Sequence, residues 1–309
     1  MKLVKTTIAL ATCSALSFTA MAADVPSVDV YGRADLSFQS SDEGDGSFTE
    51  IKSNASRIGL KGDYKINDEL TVVYKAEFEV DIDGDGDVWK ARNQYVGLAG
   101  GFGEVLLGKN DSIFKQSQGK VDLFNDLNGD IKVLWKGENR LQDTLTYKSP
   151  KFSGFQLGVT YQAEEEANGE DALSVAVFYG DKKLKKSKIF ASVAFDSEVK
   201  GYDITRATVQ GKLSGVTLGL MVQSQENIST GAEMDGVMVS AKYKIDAKTT
   251  LKGQYQLADH KDGDDRSGIS AGVDYKLAKG TKLYAFYTTF DMDSGNDEDY
   301  LAAGIQYKF

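Results

Sequence analysis

The chain has 309 residues, 41% of them apolar, and carries 46 acidic against 36 basic side chains for a formal net charge of −10. That apolar fraction is too low for a bundle of membrane helices, and so acidic a balance argues against nucleic acid as a partner. One cysteine (Cys13) and one histidine (His260) leave little for metal-centred or nucleophilic chemistry, so no catalytic residue, metal site or cofactor is expected.

The first residues read as an export leader. Lys2 and Lys5 give a basic start, Ile8 to Phe18 an apolar run, and Ala20-Met21-Ala22 a small-x-small cleavage site. Residues 1–22 are therefore expected to be a signal peptide, with a single domain over 23–309. Its loss removes Cys13 and two lysines, leaving the remainder more acidic still. No later stretch approaches the roughly 18 apolar residues of a spanning helix.

From residue 28 on, segments of about ten residues alternate apolar and polar, the period of a strand with two unlike faces. Sixteen such segments follow: Val28 to Gln39, Ser56 to Tyr64, Leu70 to Val80, Arg92 to Leu98, Glu104 to Lys109, Gln142 to Ser149, Phe155 to Ala163, Leu173 to Tyr179, Lys188 to Phe195, Ile204 to Leu213, Val216 to Gln225, Gly236 to Ile245, Thr250 to Asp259, Ser267 to Leu277, Lys282 to Asp291 and Asp299 to Phe309. The many glycines and aromatics (32 Gly, 15 Tyr, 15 Phe, only 2 Pro) suit an all-β barrel.

The connections alternate between two kinds. Short ones often carry lysine (KIND, GGFG, KFSG, DAKT), and longer ones are acidic (SSDEGDG, DIDGDGD, HKDGDDR). Short turns at one end and long loops at the other are the pattern of an up-and-down membrane barrel. Asp81 to Asp87 imitates the first half of a calcium loop, but Arg92 stands where its bidentate acid should be, which favours a plain acidic loop. One connection, Lys109 to Gln142, is far longer than the rest, and its Phe114, Val121, Phe124, Leu127, Val133 and Trp135 predict that it packs onto something. The final strand places Leu301, Ala303, Ile305, Tyr307 and Phe309 on one face, as for a lipid-facing strand ending in an interfacial aromatic.

Parity assigns the opposite faces to water. With Ile58, Leu60 and Tyr64 outward, Arg57, Lys61 and Asp63 point into the lumen; with Leu145 and Tyr147 outward, Arg140, Thr144, Thr146 and Lys148 do. In the first strand Asp29, Tyr31, Arg33, Asp35 and Ser37 lie opposite Val30, Ala34, Leu36 and Phe38. Lys109 sits at the start of the long connection, where parity decides nothing.

Over residues 28–309 the chain resembles the Gram-negative general diffusion porins. The segments carrying the resemblance are VDVYGR (Val28 to Arg33), SRIGLKGDY (Ser56 to Tyr64), GEVLLGKND (Gly103 to Asp111), DLFND (Asp122 to Asp126), TLTYKS (Thr144 to Ser149) and terminal Phe309. The resemblance implies a closed antiparallel transmembrane β-barrel of about sixteen strands, a homotrimer, with the third external loop folded inward. It implies a basic wall at Arg33, Arg57, Lys109 and Lys148, joined by Arg140 from parity, facing loop acids Asp122, Asp126 and Asp130; the family's Pro-Glu-Phe-Gly loop motif is absent. Opposed charges across a narrow pore set a transverse field that filters solutes.

The implied function is passive diffusion of ions and small hydrophilic solutes across the outer membrane. The implied partners are a second and third copy, membrane lipid and lipopolysaccharide, and the barrel-assembly machinery that reads Phe309. A solute-specific channel or a structural or adhesive barrel is the alternative, although Trp89 and Trp135 are too few for a sugar-guiding aromatic track. The acidic loops predict weak cation selectivity that fades with salt.

Overall fold

Two-residue alternation folds into seventeen strand segments: β1 Asp29–Asp42, β2 Ser47–Ser53, β3 Arg57–Lys65, β4 Leu70–Val80, β5 Trp89–Gly100, β6 Gly103–Asp111, β7 Arg140–Lys148, β8 Phe155–Gln162, β9 Ala172–Gly180, β10 Ile189–Val199, β11 Tyr202–Leu213, β12 Val216–Asn227, β13 Glu233–Lys244, β14 Thr249–His260, β15 Arg266–Ala278, β16 Thr281–Asp291 and β17 Glu298–Lys308. Between β6 and β7 lie a helical turn, α1 (Ile113–Ser117), and a 3-10 turn, Ile131–Val133. The structure is a computed structural model and describes residues 26–84, 88–164, 171–292 and 297–309. The candidate leader with Cys13 lies outside them, as do residues 85–87 of the calcium-loop imitation.

All pairing among the described residues is antiparallel and between chain neighbours, except that β3 pairs with β1 rather than β2, and β1 also pairs with β17 from Arg33↔Lys308 to Asp42↔Asp299. The sheet is therefore a closed barrel with no free edge, the only way besides helices to satisfy the backbone in hydrocarbon. Gly32 exchanges backbone hydrogen bonds with Phe309 at 3.1 and 3.2 Å, and a Cβ there would strike the Phe309 ring at 2.2 Å. Only glycine leaves room for that ring against β1.

β2 and β3 are two halves of one stave, since β1 pairs with both. The barrel thus has the expected sixteen staves, with one boundary corrected: the second stave starts at Ser47, not Ser56. The break at Asn54 to Ser56 hides this continuity from a periodicity count, because Ala55 takes a positive φ of 50° and interrupts the alternation.

The polarity is inverted relative to a water-soluble fold. Val193, Leu218, Leu220, Val222, Val239, Ile269, Leu301 and Ile305 point outward and exposed, while Thr208, Gln210, Gln223, Ser240, Gln254, Gln256 and Thr288 point inward and buried. So broad an exposed apolar surface is a lipid face. Exposed aromatics ring both ends: Tyr64, Phe102, Phe152, Phe155, Tyr179, Tyr243, Tyr307 and Phe309 near the short turns, and Phe38, Phe48, Phe78, Trp89, Tyr161 and Tyr287 near the loops. These are the girdles expected at the two interfaces. No helix among the described residues is long and apolar enough to cross a membrane.

Candidate functional site

The segment between β6 and β7 supplies several of the largest buried side chains. Phe114, Val121, Phe124, Ile131 and Trp135 are all at most 1% exposed. Their contacts run to inward-facing wall residues: Val121 lies over Gly219, Trp135 over Gly236, Ile113 over Gly158, and Phe124 stands 6.1 Å edge-on from Phe286. Glycines on the wall accept these rings where any Cβ would clash, as at Gly236, whose Cβ would lie 2.5 Å from the Trp135 ring. Polar contacts complete the seat. Trp135 Nε1 donates to Leu257 O (2.9 Å), Leu123 N to Gln254 Oε1 (2.8 Å), Ile113 N to Thr160 Oγ1 (3.2 Å), and Ser192 Oγ to Ser117 O (2.7 Å). The segment leans on β8 to β16 and leaves open the side of the lumen bounded by β1 to β7.

Across that opening stand four arginines. Arg33 and Arg57 both bind the Asp126 carboxylate, at 2.9 and 2.6 Å. The break in the second stave aims them: Arg33 donates to Asn54 O (2.5 Å) and Ala55 O (2.9 Å), and Arg57 to Ala55 O (3.0 Å). Arg92 pairs with Glu77 (2.9 Å) and Glu79 (2.5 Å), and Arg140 with Asp111 (3.0 Å) and Asn93 (2.6 Å). Asp126 itself has a positive φ of 69°, tolerated by Asp, which turns its carboxylate toward the wall. Burial alone would raise the Asp126 carboxyl, but the Arg57 and Arg33 guanidiniums more than reverse that and hold it well below the usual range. A depressed acid keeps its pairing above its unfolded pKa and loses it only as pH falls through the folded value. The bridge therefore persists through neutral and mildly acidic pH.

The three candidate loop acids divide. Only Asp126 meets the arginines. Asp122 accepts from Phe124 N (2.9 Å) and Ile131 N (3.2 Å), and Asp130 from Asp126 N (2.9 Å) and Lys132 N (3.0 Å), so both clasp the loop's own turns. Burial, reinforced by nearby Asp130, pushes the Asp122 carboxyl up.

The basic candidates divide too. Arg33, Arg57 and Arg140 stand in the cluster. Lys148 points inward but pairs with Glu104 at 3.8 Å, lining a smaller cavity with Lys151 and Lys182 near the short turns. Lys109 lies opposite Gln94 beside the irregularity at Gly108–Asn110 and lines neither lumen chamber.

Arg92 was not singled out by the sequence. A bulge opposite Glu77 makes both Arg92 and Asn93 buried, so simple parity fails there. Glu77 and Glu79, flanking outward Phe78, were legible by parity and were missed. Trp135 is a loop anchor and forms no track.

Two chambers, of about 480 and 620 Å³, meet at Arg92, Lys115, Asn125, Asp126 and Arg140, which line both. The loop-side chamber is near balance, with Lys52, Arg92, Lys115, Lys132 and Arg140 against Glu79, Asp126, Asp130 and Glu138. The turn-side chamber is not. Arg33, Arg57, Arg92, Arg140 and seven lysines (Lys115, Lys120, Lys182, Lys242, Lys252, Lys282, Lys308) face only Asp111, Asp122, Asp126 and Asp274. Among the described residues no cluster of His, Cys, Asp or Glu has metal-binding geometry.

A closed, inside-out sixteen-stave barrel with a charged neck is a membrane channel by class. A family model described as Gram-negative porin matches residues 6–307, and the chain belongs to that family. Its place is accordingly the outer membrane, and its family is one of channels rather than enzymes. The chain is 33% identical over 127 residues to the major outer membrane protein P.IB of Neisseria sicca, covering 40% of this chain and 36% of that protein. It is 28% identical over 240 residues to a monosaccharide porin of a Halomonas species, covering 71% and 64%. The alignments therefore span less than two thirds of either relative's length. In fold it is similar to the anion-selective porin from Comamonas acidovorans, with a TM-score of 0.75 and 20% identity over 92% of this chain and all of that one.

Proposed function

We propose that the chain forms a water-filled outer-membrane channel for passive diffusion of ions and small hydrophilic solutes, with anions favoured. The observation that carries this is the excess of cationic side chains in the turn-side chamber. It reverses the weak cation preference that the acidic loops suggest, for a physical reason. Asp126 is shared by two guanidiniums, and the acids that line the turn-side chamber are outnumbered by its four arginines and seven lysines. Arg33, Arg57 and Arg140 are proposed as the selective wall and Asp126 as its counter-charge, while Lys109 has no part in it. Residues 1–22 are proposed as the export leader.

The test is a reversal potential in a planar bilayer under a salt gradient. An anion-signed potential is expected, shrinking as the Debye length falls from about 8 Å at physiological salt to about 3 Å at 1 M. Arg57→Ser should move it toward cations. A cation-signed potential in the unmodified protein would overturn the selectivity, and absence of conductance the channel itself.

We further propose a homotrimer bedded in lipid and lipopolysaccharide, assembled by machinery that reads Phe309. Phe309 is 56% exposed and its ring lies 5.9 Å from that of Tyr307, tilted by 31°, on the lipid face away from the lumen. Deleting it should lower the amount of folded barrel in the outer membrane while the conductance of inserted channels stays unchanged. Undiminished folded protein would refute this role.

A further inference from the structure

We propose that Tyr284, Asp35 and Asn54 are positioning residues for the arginine neck: their hydrogen-bonded network at the barrel seam holds the break in the second stave in the shape that aims Arg33 and Arg57. The proposal rests on the channel reading and deepens it by naming side chains that set selectivity through other residues.

The break carries slack. β1 pairs Arg33 with Arg57 and Leu36 with Ser53, so Ala34 and Asp35 face Asn54, Ala55 and Ser56, one residue more than they can pair. Such an insertion re-aims nearby side chains and is common beside functional sites. The backbone of Asp35 takes up part of it: its N–H donates to Ser56 Oγ at 2.9 Å, and its carbonyl accepts from Asn54 N at 2.9 Å. What remains to be fixed is the direction of the Asn54 and Ala55 carbonyls, the groups that receive Arg33 and Arg57.

That direction is held from across the seam. Tyr284 on β16 lies over Gly304 of β17, where a Cβ would strike its ring, and its hydroxyl reaches β1 to donate to Asp35 Oδ1 at 2.7 Å. The same hydroxyl accepts from Asn54 Nδ2 at 3.0 Å, and Nδ2 also donates to Ser37 Oγ at 2.9 Å. Gln306 Nε2 donates to the other Asp35 oxygen, which stands 3.7 Å from Arg33 Nε. Asp35, Ser37, Asn54 and Tyr284 are each at most 4% exposed. Buried polar networks of this kind specify one geometry, because a lost partner is costly to leave unreplaced. Closure of the barrel has its own support in the backbone ladder from Arg33↔Lys308 to Asp42↔Asp299, so the side-chain network is surplus to it. Neither Asp35 nor Tyr284 lines either chamber, so their effect on a passing ion runs through the arginines they place.

The test is a mutant cycle on the full barrel in a planar bilayer, with the chloride-to-potassium permeability ratio read from the reversal potential. Y284F keeps the ring and removes only the hydroxyl, and should lower the ratio about twofold while the folded barrel in the membrane stays undiminished. N54A, which keeps the carbonyl and removes the donors, should act in the same direction and decides the matter should Y284F fail to insert. T146V, which breaks a buried wall hydrogen bond of 3.1 Å to Thr160 Oγ1, should leave the ratio unchanged. In an R33Q/R57Q background, whose own ratio should be lower, Y284F and N54A should have no further effect, because residues that act through one another are not additive. An unchanged ratio in both Y284F and N54A, an equal fall in T146V, or the same fractional fall in the R33Q/R57Q background overturns the positioning role and leaves the channel and its wall intact. A ratio that R33Q/R57Q itself does not move overturns the selective wall, and the positioning role with it.

Discussion

Arg206→Met is expected to loosen the long loop from the wall by about 3–5 kcal/mol, the cost of leaving a buried charge without its partner. Arg206 is fully buried and binds three groups of the inner wall and loop: Glu138 Oε1 at 2.7 Å, Gln223 Oε1 at 2.8 Å and Lys136 O at 3.3 Å. Its guanidinium also lies 4.4 Å over the Phe114 ring. Met restores much of the volume but leaves Glu138 buried without its guanidinium partner. Hydrogen exchange and protease cleavage across residues 112–139 should read the loss, because the sixteen-stave sheet itself does not depend on this pair. Burial already raises the Glu138 carboxyl, and Arg206 and Lys115 pull it part of the way back. Without Arg206 the neutral acid is favoured further. A raised acid contributes stability below its unfolded pKa and loses it as pH rises through the folded value. Loop protection in the variant should therefore recover as pH falls, and E138Q/R206M should recover it at neutral pH. Unchanged exchange in the single variant would show that the loop is anchored elsewhere.

Trp135→Ala should have an effect of similar size, about 3–5 kcal/mol for removing a buried tryptophan. Its ring fills the slot above Gly236, and its Nε1–H satisfies Leu257 O at 2.9 Å. Truncation leaves a void and removes the indole's hydrogen bond to the wall. Since Trp135 and Asp126 lie on the same loop, slackening at one end should blur the arginine neck at the other. Single-channel records should show a larger and noisier open current, with selectivity moving toward neutral. A quiet current of unchanged amplitude would mean that Phe124 and Val121 suffice to seat the loop.

The barrel was legible in the sequence because lipid outside and water inside enforce strict alternation. Leu301, Ile305 and Tyr307 against Ala302 and Gln306 leave no other register. Legibility failed where the backbone departs from that period. The positive φ at Ala55 split the second stave, and the bulge opposite Glu77 concealed Arg92. These irregularities are also what aim the arginines: the Asn54 and Ala55 carbonyls orient Arg33 and Arg57, and the bulge delivers Arg92 to Glu77 and Glu79. The loop acids differ for another reason. A residue count cannot tell a carboxylate that meets the arginines, as Asp126 does, from one that also clasps its own loop's turns, as Asp122 and Asp130 do.

The pairing of β1 with β17 joins the two ends of the chain, so the first stave to emerge waits for the last before either is satisfied. Until then the growing sheet carries two sticky margins and an apolar flank, a state prone to wrong partnering in any aqueous compartment. Folding is consequently a single cooperative event, with no smaller autonomous unit to fall back on. Removing one stave anywhere should forfeit the whole structure, not shrink the bore.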